Sequence, residues 1–190
     1  MAESVIFVLI GALVVSLIIV IFGWHQWVDP RWVVFAFFAL LIPGLWGAFT
    51  TGPFVPSGKK KRKIMLKLAN LQPTDVVYEL GFGDGSLIFA AAKTVKRAVG
   101  YEISIPLVCW GKLVKWLTRS KAEMYFGNIW KQDYRDADIL FCYLMPNAMA
   151  RIYKEIWPTL RPGTRVVTHS FRIHGKEPTA EEDYVYVYQV

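Results

Sequence analysis

The sequence predicts an α/β domain built on a doubly wound, mostly parallel sheet, with a two-helix apolar hairpin in front of it. Three observations carry that expectation. From residue 64 onward, short apolar runs alternate with longer helix-like ones. The first apolar run ends in a turn with three glycines in five residues, Gly81, Gly83 and Gly85. Finally, composition divides the 190-residue chain: it is 54% apolar with mean hydropathy +0.32, yet its net charge is +7 and its pI about 9.4. Residues 1–56 hold only Arg31, Glu3 and Asp29 among the charged residues, which leaves 21 of the 22 bases and 13 of the 15 acids to the remainder. An apolar head is joined to a basic body.

The head contains two apolar stretches, 5–22 and 32–49, each of 18 residues without a charge. That is about the minimum for a helix crossing the hydrocarbon core. Trp24, Trp27 and Trp32 lie about the short polar turn between them, where interfacial aromatics belong. A cleaved signal peptide fits poorly, because Glu3 replaces the expected base, no small-residue cleavage site follows and a second apolar stretch does. Residues 1–52 are therefore expected to form a transmembrane hairpin with helices over about 5–23 and 32–49. KKKRK at 59–63 follows the second stretch, and a base-rich flank places it and everything after it on the cytoplasmic side. Two spans return the N-terminus to that side. Residues 53–63 read as a basic linker to a domain over 64–190.

In the body, IMLKLANL (64–71) reads as a short helix and QPTD as a turn. VVYELGF (76–82) is a buried strand, SLIFAAAKTV (86–95) a helix and RAVGYEI (97–103) a second strand. Pro106 opens a helix over 107–120; AEMYFGNI (122–129) and ADILFCYL (137–144) are strands three and four. AMARIYKEIWPTL (148–160) is a helix that Arg161-Pro162-Gly163 ends. TRVVTHSFRI (164–173) is strand five, and an acidic loop leads to a final strand in YVYVYQV (184–190). Such alternation indicates a parallel sheet covered on both faces. Ligands of these sheets bind beyond the carboxyl ends of the strands, where the strand order switches.

The glycine turn stands at such an end. Its pattern is Glu79-x-Gly81-x-Gly83-Asp84-Gly85, which is neither the dinucleotide fingerprint, since the third glycine comes one residue early, nor a phosphate loop. Glu102 falls at the end of the second strand, where a carboxylate can take both hydroxyls of a ribose. Strand context and Glu102 together point to a nucleoside ligand that need not carry phosphates. Cys109 and Cys142 are isolated and suggest no metal set, and the default for them is a reduced, inert thiol.

These residues resemble the class I, seven-strand S-adenosylmethionine-dependent methyltransferases, whose fold is Rossmann-like. The resemblance rests on GPFVPSG, IMLKLANL, VVYELGFGDG, AVGYEIS, FGNIW, ADILFCYLMPNAM and LRPGTRVVTHSFRIHG, and it runs from about residue 53 to the end. Within that superfamily the chain looks most like the small, often membrane-anchored protein-lysine methyltransferases, among them those acting on the ATP synthase c-subunit and their archaeal relatives. The likeness implies S-adenosyl-L-methionine as cofactor. Glu79, Gly81, Phe82, Gly83, Asp84 and Gly85 would surround its methionine part, Glu102 and Ile103 its ribose, and Asn128 and Ile129 its adenine. Tyr143, at the end of strand four, would touch the cofactor and, with Pro146, face the methyl acceptor, and GPFVPSG would fold back as a lid. The chain departs from the pattern in three places. Asn128 stands where an Asp is usual, so weaker cofactor binding is expected. Phe82 replaces a small residue and is expected to narrow the methionine pocket. By this count the sheet has six strands, so the last one is expected to be missing.

The implied reaction is transfer of a methyl group to lysine side chains of a protein, with a membrane protein the natural target of a tethered enzyme and the lipid bilayer a partner. A lysine acceptor must first lose its proton, and an apolar, aromatic-lined channel favours the neutral amine. RNA, a lipid or a small molecule are the alternative acceptors, and a non-catalytic cofactor-binding scaffold is the alternative class. KKKRK beside a span reads as a stop-transfer and lipid-contact element, and nucleic acid is not the expected partner. His169 and His174 have no acid at triad spacing and read as packed or solvent-facing. Ser170 has no nucleophile-elbow context.

Overall fold

A computed structural model describes residues 58–190 together with Asp29, Arg31, Trp32, Val34 and Phe35. The hairpin expected over 1–52 and the lid segment before Gly58 lie outside the described residues. Among the described residues no helix is long and apolar enough to cross a membrane.

The elements are α1 (Lys59–Ala69), β1 (Val76–Leu80), α2 (Ser86–Ala91), β2 (Arg97–Glu102), α3 (Ile105–Thr118), β3 (Glu123–Phe126), β4 (Ile139–Cys142), α4 (Pro146–Arg151), β5 (Arg165–His169), β6 (Ala180–Glu182) and β7 (Val185–Gln189). One sheet runs in the order β3-β2-β1-β4-β5-β7-β6. The first five strands are parallel and β7 is antiparallel to both β5 and β6. The order reverses between β1 and β4, so the switch lies at the carboxyl end of β1 and beside the glycine turn.

Strand alternation sorts the core into two halves. Val77, Ile139, Phe141, Val167, Val185 and Val187 face one side and pack with Ile64 and Met65 of α1 and Leu87, Ile88 and Ala91 of α2. Tyr78, Leu80, Leu140, Cys142, Val166, Tyr186 and Tyr188 face the other and pack with Ala148 and Met149 of α4 and the turn that follows it.

Three sequence expectations are corrected. The sheet does not lack its last strand. YVYVYQV supplies β7, and the acidic segment read as loop supplies β6, which is only three residues long, polar and at the sheet edge. The β6–β7 turn places Asp183 at φ 49° and Tyr184 at φ 62°, the left-handed pair of a two-residue hairpin. The basic run 59–63 is not linker but the first turns of α1. It folds there because its charges are met: Lys60 and Lys61 reach the Asp183 carboxylate at 3.1 and 2.7 Å, and Lys67 reaches Glu182 at 2.7 Å. Finally, the helix expected to end near residue 160 starts earlier, at Pro146, and loosens after Arg151 into a π turn over Ile152–Ile156 and a 3₁₀ turn over Trp157–Thr159. Pro158 has no N–H with which to continue an α-helical ladder.

At the opposite, amino-terminal end of the parallel strands, Arg165 joins three elements. Its guanidinium pairs with buried Asp75 at 2.7 Å and caps the end of α1 through the Ala69 and Asn70 carbonyls at 2.6 and 2.7 Å.

Candidate active site

The site begins with the glycine turn. Gly81, Gly83 and Gly85 have φ of 73°, 55° and 75°, a left-handed run that other residues adopt at a cost. The turn is pinned to the neighbouring strand, because the Gly81 and Phe82 amides donate to the Tyr101 carbonyl at 3.0 and 3.2 Å. A Cβ on Gly81 would make only ordinary contacts, with Leu144 at 3.6 Å and Glu102 Oε2 at 4.0 Å, so at this position the left-handed φ rather than crowding calls for glycine. At Gly85 the reason is packing, since a Cβ would stand 2.7 Å from the Phe89 ring and 2.8 Å from Met124. Asp84 accepts the Ser86 amide at 2.9 Å and starts α2.

Phe82 does not narrow a pocket. Its ring is 2% exposed and lies in the core, in space left by two other glycines: a Cβ on Gly100 would come within 2.8 Å of the ring, and one on Gly111 within 3.0 Å. The positive φ values on both sides swing the turn so that residue 82 points into the core. What Phe82 contributes to the cradle is backbone.

Two carboxylates sit on one face at the carboxyl edge. Glu102 accepts from the amides of Gly83 at 3.0 Å and of Ile103 and Ser104 at 2.9 Å each. It therefore ties the glycine turn to the start of α3, a structural duty the sequence did not disclose. Glu79 is 9% exposed and its Oε2 is buried with no hydrogen-bond partner among the described residues. Burial holds its carboxyl well above the usual range, the nearby Asp84 and Glu102 charges add to this, and the Ile88 amide opposes it.

Asn128 follows β3. Its Oδ1 accepts the Trp130 amide at 3.0 Å, and because an N–H needs an acceptor, this fixes which end of the side chain faces the turn. The Nδ2 donors are left for a ligand. Ile129 is buried, its carbonyl accepting from the Tyr134 hydroxyl at 2.8 Å.

Beyond β4, Tyr143 is half-buried and Pro146 is the exposed first residue of α4. The Tyr143 ring packs against His169 at the end of β5, centroids 4.2 Å apart. His169 is 6% exposed and its Nδ1 is buried with no partner among the described residues. Burial and the Lys61 ammonium hold the imidazole below its ordinary pKa, with Asp183 opposing, so it is neutral at pH 7. By sequence His169 reads as packed or solvent-facing, outside the site. The available signal was strand parity: His169 continues the face of Val167 and ends level with Tyr143, as the pairing of Cys142 with Thr168 requires.

These residues fit S-adenosylmethionine. An unpaired, desolvated Glu79 oxygen suits a cationic amine, and the bare face of Gly81 admits close approach. Glu102 and Asn128 follow along the same edge, at the ends of β2 and β3, in the order ribose then base. Among the described residues no cluster of His, Cys, Asp and Glu could hold a metal ion.

Comparison with known proteins agrees. Residues 79–180 match the family described as ANTKMT methyltransferase domain. The chain is 35% identical over 130 residues to a protein-lysine N-methyltransferase of Saccharolobus islandicus, covering 66% of this chain and 81% of that one. It is 28% identical over 121 residues to the ATP synthase c-subunit lysine N-methyltransferases of Xenopus laevis and Homo sapiens, spanning 53% and 52% of their lengths. A crystal structure of an RNA methyltransferase from Salinibacter ruber with bound S-adenosyl-L-homocysteine is similar at 32% identity and TM-score 0.68, over 71% of this chain and 93% of that one. With the seven-strand order, the glycine turn and the carboxylate pair already in place, the chain belongs to the ANTKMT methyltransferase domain family and is an S-adenosylmethionine-dependent methyltransferase.

Proposed function

We propose that this enzyme methylates lysine side chains of a protein, that the target is a membrane protein, and that the apolar head holds the catalytic domain at the cytoplasmic face of the bilayer. The observation that carries the acceptor is the 35% identity with a protein-lysine N-methyltransferase across four fifths of that enzyme. The charge-free stretches at 5–22 and 32–49 support the anchor.

S-adenosylmethionine supplies an electrophilic methyl group on a sulfonium sulfur. The protein's tasks are to align the acceptor and strip it of water. Glu79 would hold the cofactor's amine, Glu102 its ribose hydroxyls, and Asn128 would donate to the base. Tyr143 and His169 form the acceptor wall, with Pro146 fixing the start of α4 beside it. A protonated lysine, of ordinary pKa about 10.4, is disfavoured once it is stripped of water in such a setting. The neutral imidazole of His169 offers no competing positive charge, and Tyr143 orients the amine.

The Salinibacter likeness supports a second reading in which RNA is the acceptor. One experiment separates them. Membranes and RNA from the source cell are incubated with radiolabelled cofactor and either wild type or Glu79→Gln. A protein band that is absent with Glu79→Gln, its label recovered as methyl-lysine, supports the first reading. Label in RNA alone replaces it with the second.

A further inference from the structure

We propose that the outer face of α3 is a peripheral docking surface for an anionic lipid bilayer, which sets the domain on its side against the membrane. This extends, and rests on, the membrane-substrate part of the proposed function.

α3 buries only Val108 and Gly111. Its outer face carries Trp110, Leu113, Trp116 and Leu117, which are 53, 47, 74 and 64% exposed. Residues 110, 113 and 117 follow the spacing of one helix face. Phe126 of the edge strand β3, on which α3 packs, shares the face of Met124 and is exposed beside it. Isolated exposed apolar residues need no explanation, but five in one patch, two of them Trp, do.

Charge selects the occupant. From Ile103 to Ala122 the chain has no acid, while Lys112, Lys115, Arg119 and Lys121 all fall there. A second copy of the chain would bring the same bases against these ones, a repulsive pairing. An anionic headgroup layer over an acyl boundary matches both features, because Trp rings favour that boundary and bases favour its surface. The two charge-free stretches at the head of the chain bring the domain within reach of a bilayer.

The test uses a native handle. Cys109 is exposed on α3 beside Trp110, whereas Cys142 is buried. The full chain, labelled at Cys109 with an environment-sensitive fluorophore, is placed with phosphatidylcholine vesicles that do or do not contain phosphatidylserine. The expected result with phosphatidylserine is a blue-shifted emission that nitroxide-bearing lipids quench. Each base near the surface is worth ~1 kcal/mol, about fivefold in affinity, so Lys112→Glu with Arg119→Glu should weaken the quenching response by more than tenfold. Trp116→Ser with Leu117→Ser should abolish it. S-adenosylhomocysteine affinity, measured on each variant, should stay within twofold of wild type and so report an intact domain. Emission unchanged on adding anionic vesicles overturns the proposal. So does a blue shift without lipid quenching, which would mean that protein covers the helix, whether residues 1–57 or a second copy. Methyl transfer is not needed for the readout, so either failure leaves the acceptor assignment standing.

Discussion

Replacing Glu79 by Gln should make the ligand-free protein more stable and the cofactor complex weaker. The carboxyl is 9% exposed, its Oε2 has no partner among the described residues, and burial, Asp84 and Glu102 all raise its pKa. A carboxylate whose folded pKa lies above its unfolded one, about 4.3, stabilises the fold fully below that value and loses the contribution as pH rises through the folded pKa. Gln has the same shape and no proton to lose. Above the raised pKa the variant should therefore gain on the order of 1–3 kcal/mol, the usual cost of an unsatisfied buried polar group. Binding reverses the sign. The cofactor's ammonium selects the ionised carboxylate, so wild-type affinity should rise with pH up to the raised pKa and then level off. A hydrogen bond to a charged group is worth ~1.5–3 kcal/mol, so Glu79→Gln should bind S-adenosylhomocysteine roughly 10- to 150-fold more weakly, with little pH dependence. Calorimetric titration across pH, with thermal denaturation of the same samples, measures both. Equal affinity of wild type and variant, or parallel pH profiles, would refute the role given to Glu79. A less stable ligand-free variant would refute the desolvation account.

The remaining predictions are shorter. His169→Gln should lower kcat at least tenfold at pH 7 while leaving S-adenosylhomocysteine affinity unchanged, if the imidazole packed on Tyr143 lines the acceptor wall as proposed; equal kcat would remove it from the site. Gly100→Ala drives a methyl within 2.8 Å of Phe82 and should cost about 1–3 kcal/mol in denaturant unfolding, whereas adding Phe82→Ala should recover part of that loss. Arg165→Met leaves the Asp75 charge and two α1 carbonyls without their partner and should destabilise by roughly 2–4 kcal/mol; a change below about 0.5 kcal/mol would show that the pair is dispensable.

Much of the domain was legible because its strands are apolar on both faces and its glycines stand where a strand must turn. The five parallel strands, the switch at β1 and the carboxylate at the end of β2 follow from those patterns. What stayed hidden depends on contacts between distant residues. β6 is a three-residue acidic edge strand whose hairpin turn is held by Lys60 and Lys61, more than a hundred residues earlier. Those same lysines looked like linker because their partners could not be read locally. The direction of Phe82 depended on the backbone at its flanking glycines, and the burial of His169 on the register between β4 and β5. Glu102 was read for a ligand alone, yet the structure shows that it first serves the backbone of three residues.

The Phe82 ring with Gly100 and Gly111 carries an implication for how this family can vary. These positions and Met124 divide one fixed volume, so they are free to drift only in concert. A lineage that shrinks residue 82 gains room for a side chain at 100, whereas one at 111 also requires Met124, 2.5 Å from its Cβ, to give way. The joint distribution of residues 82, 100, 111 and 124 among relatives should be strongly correlated.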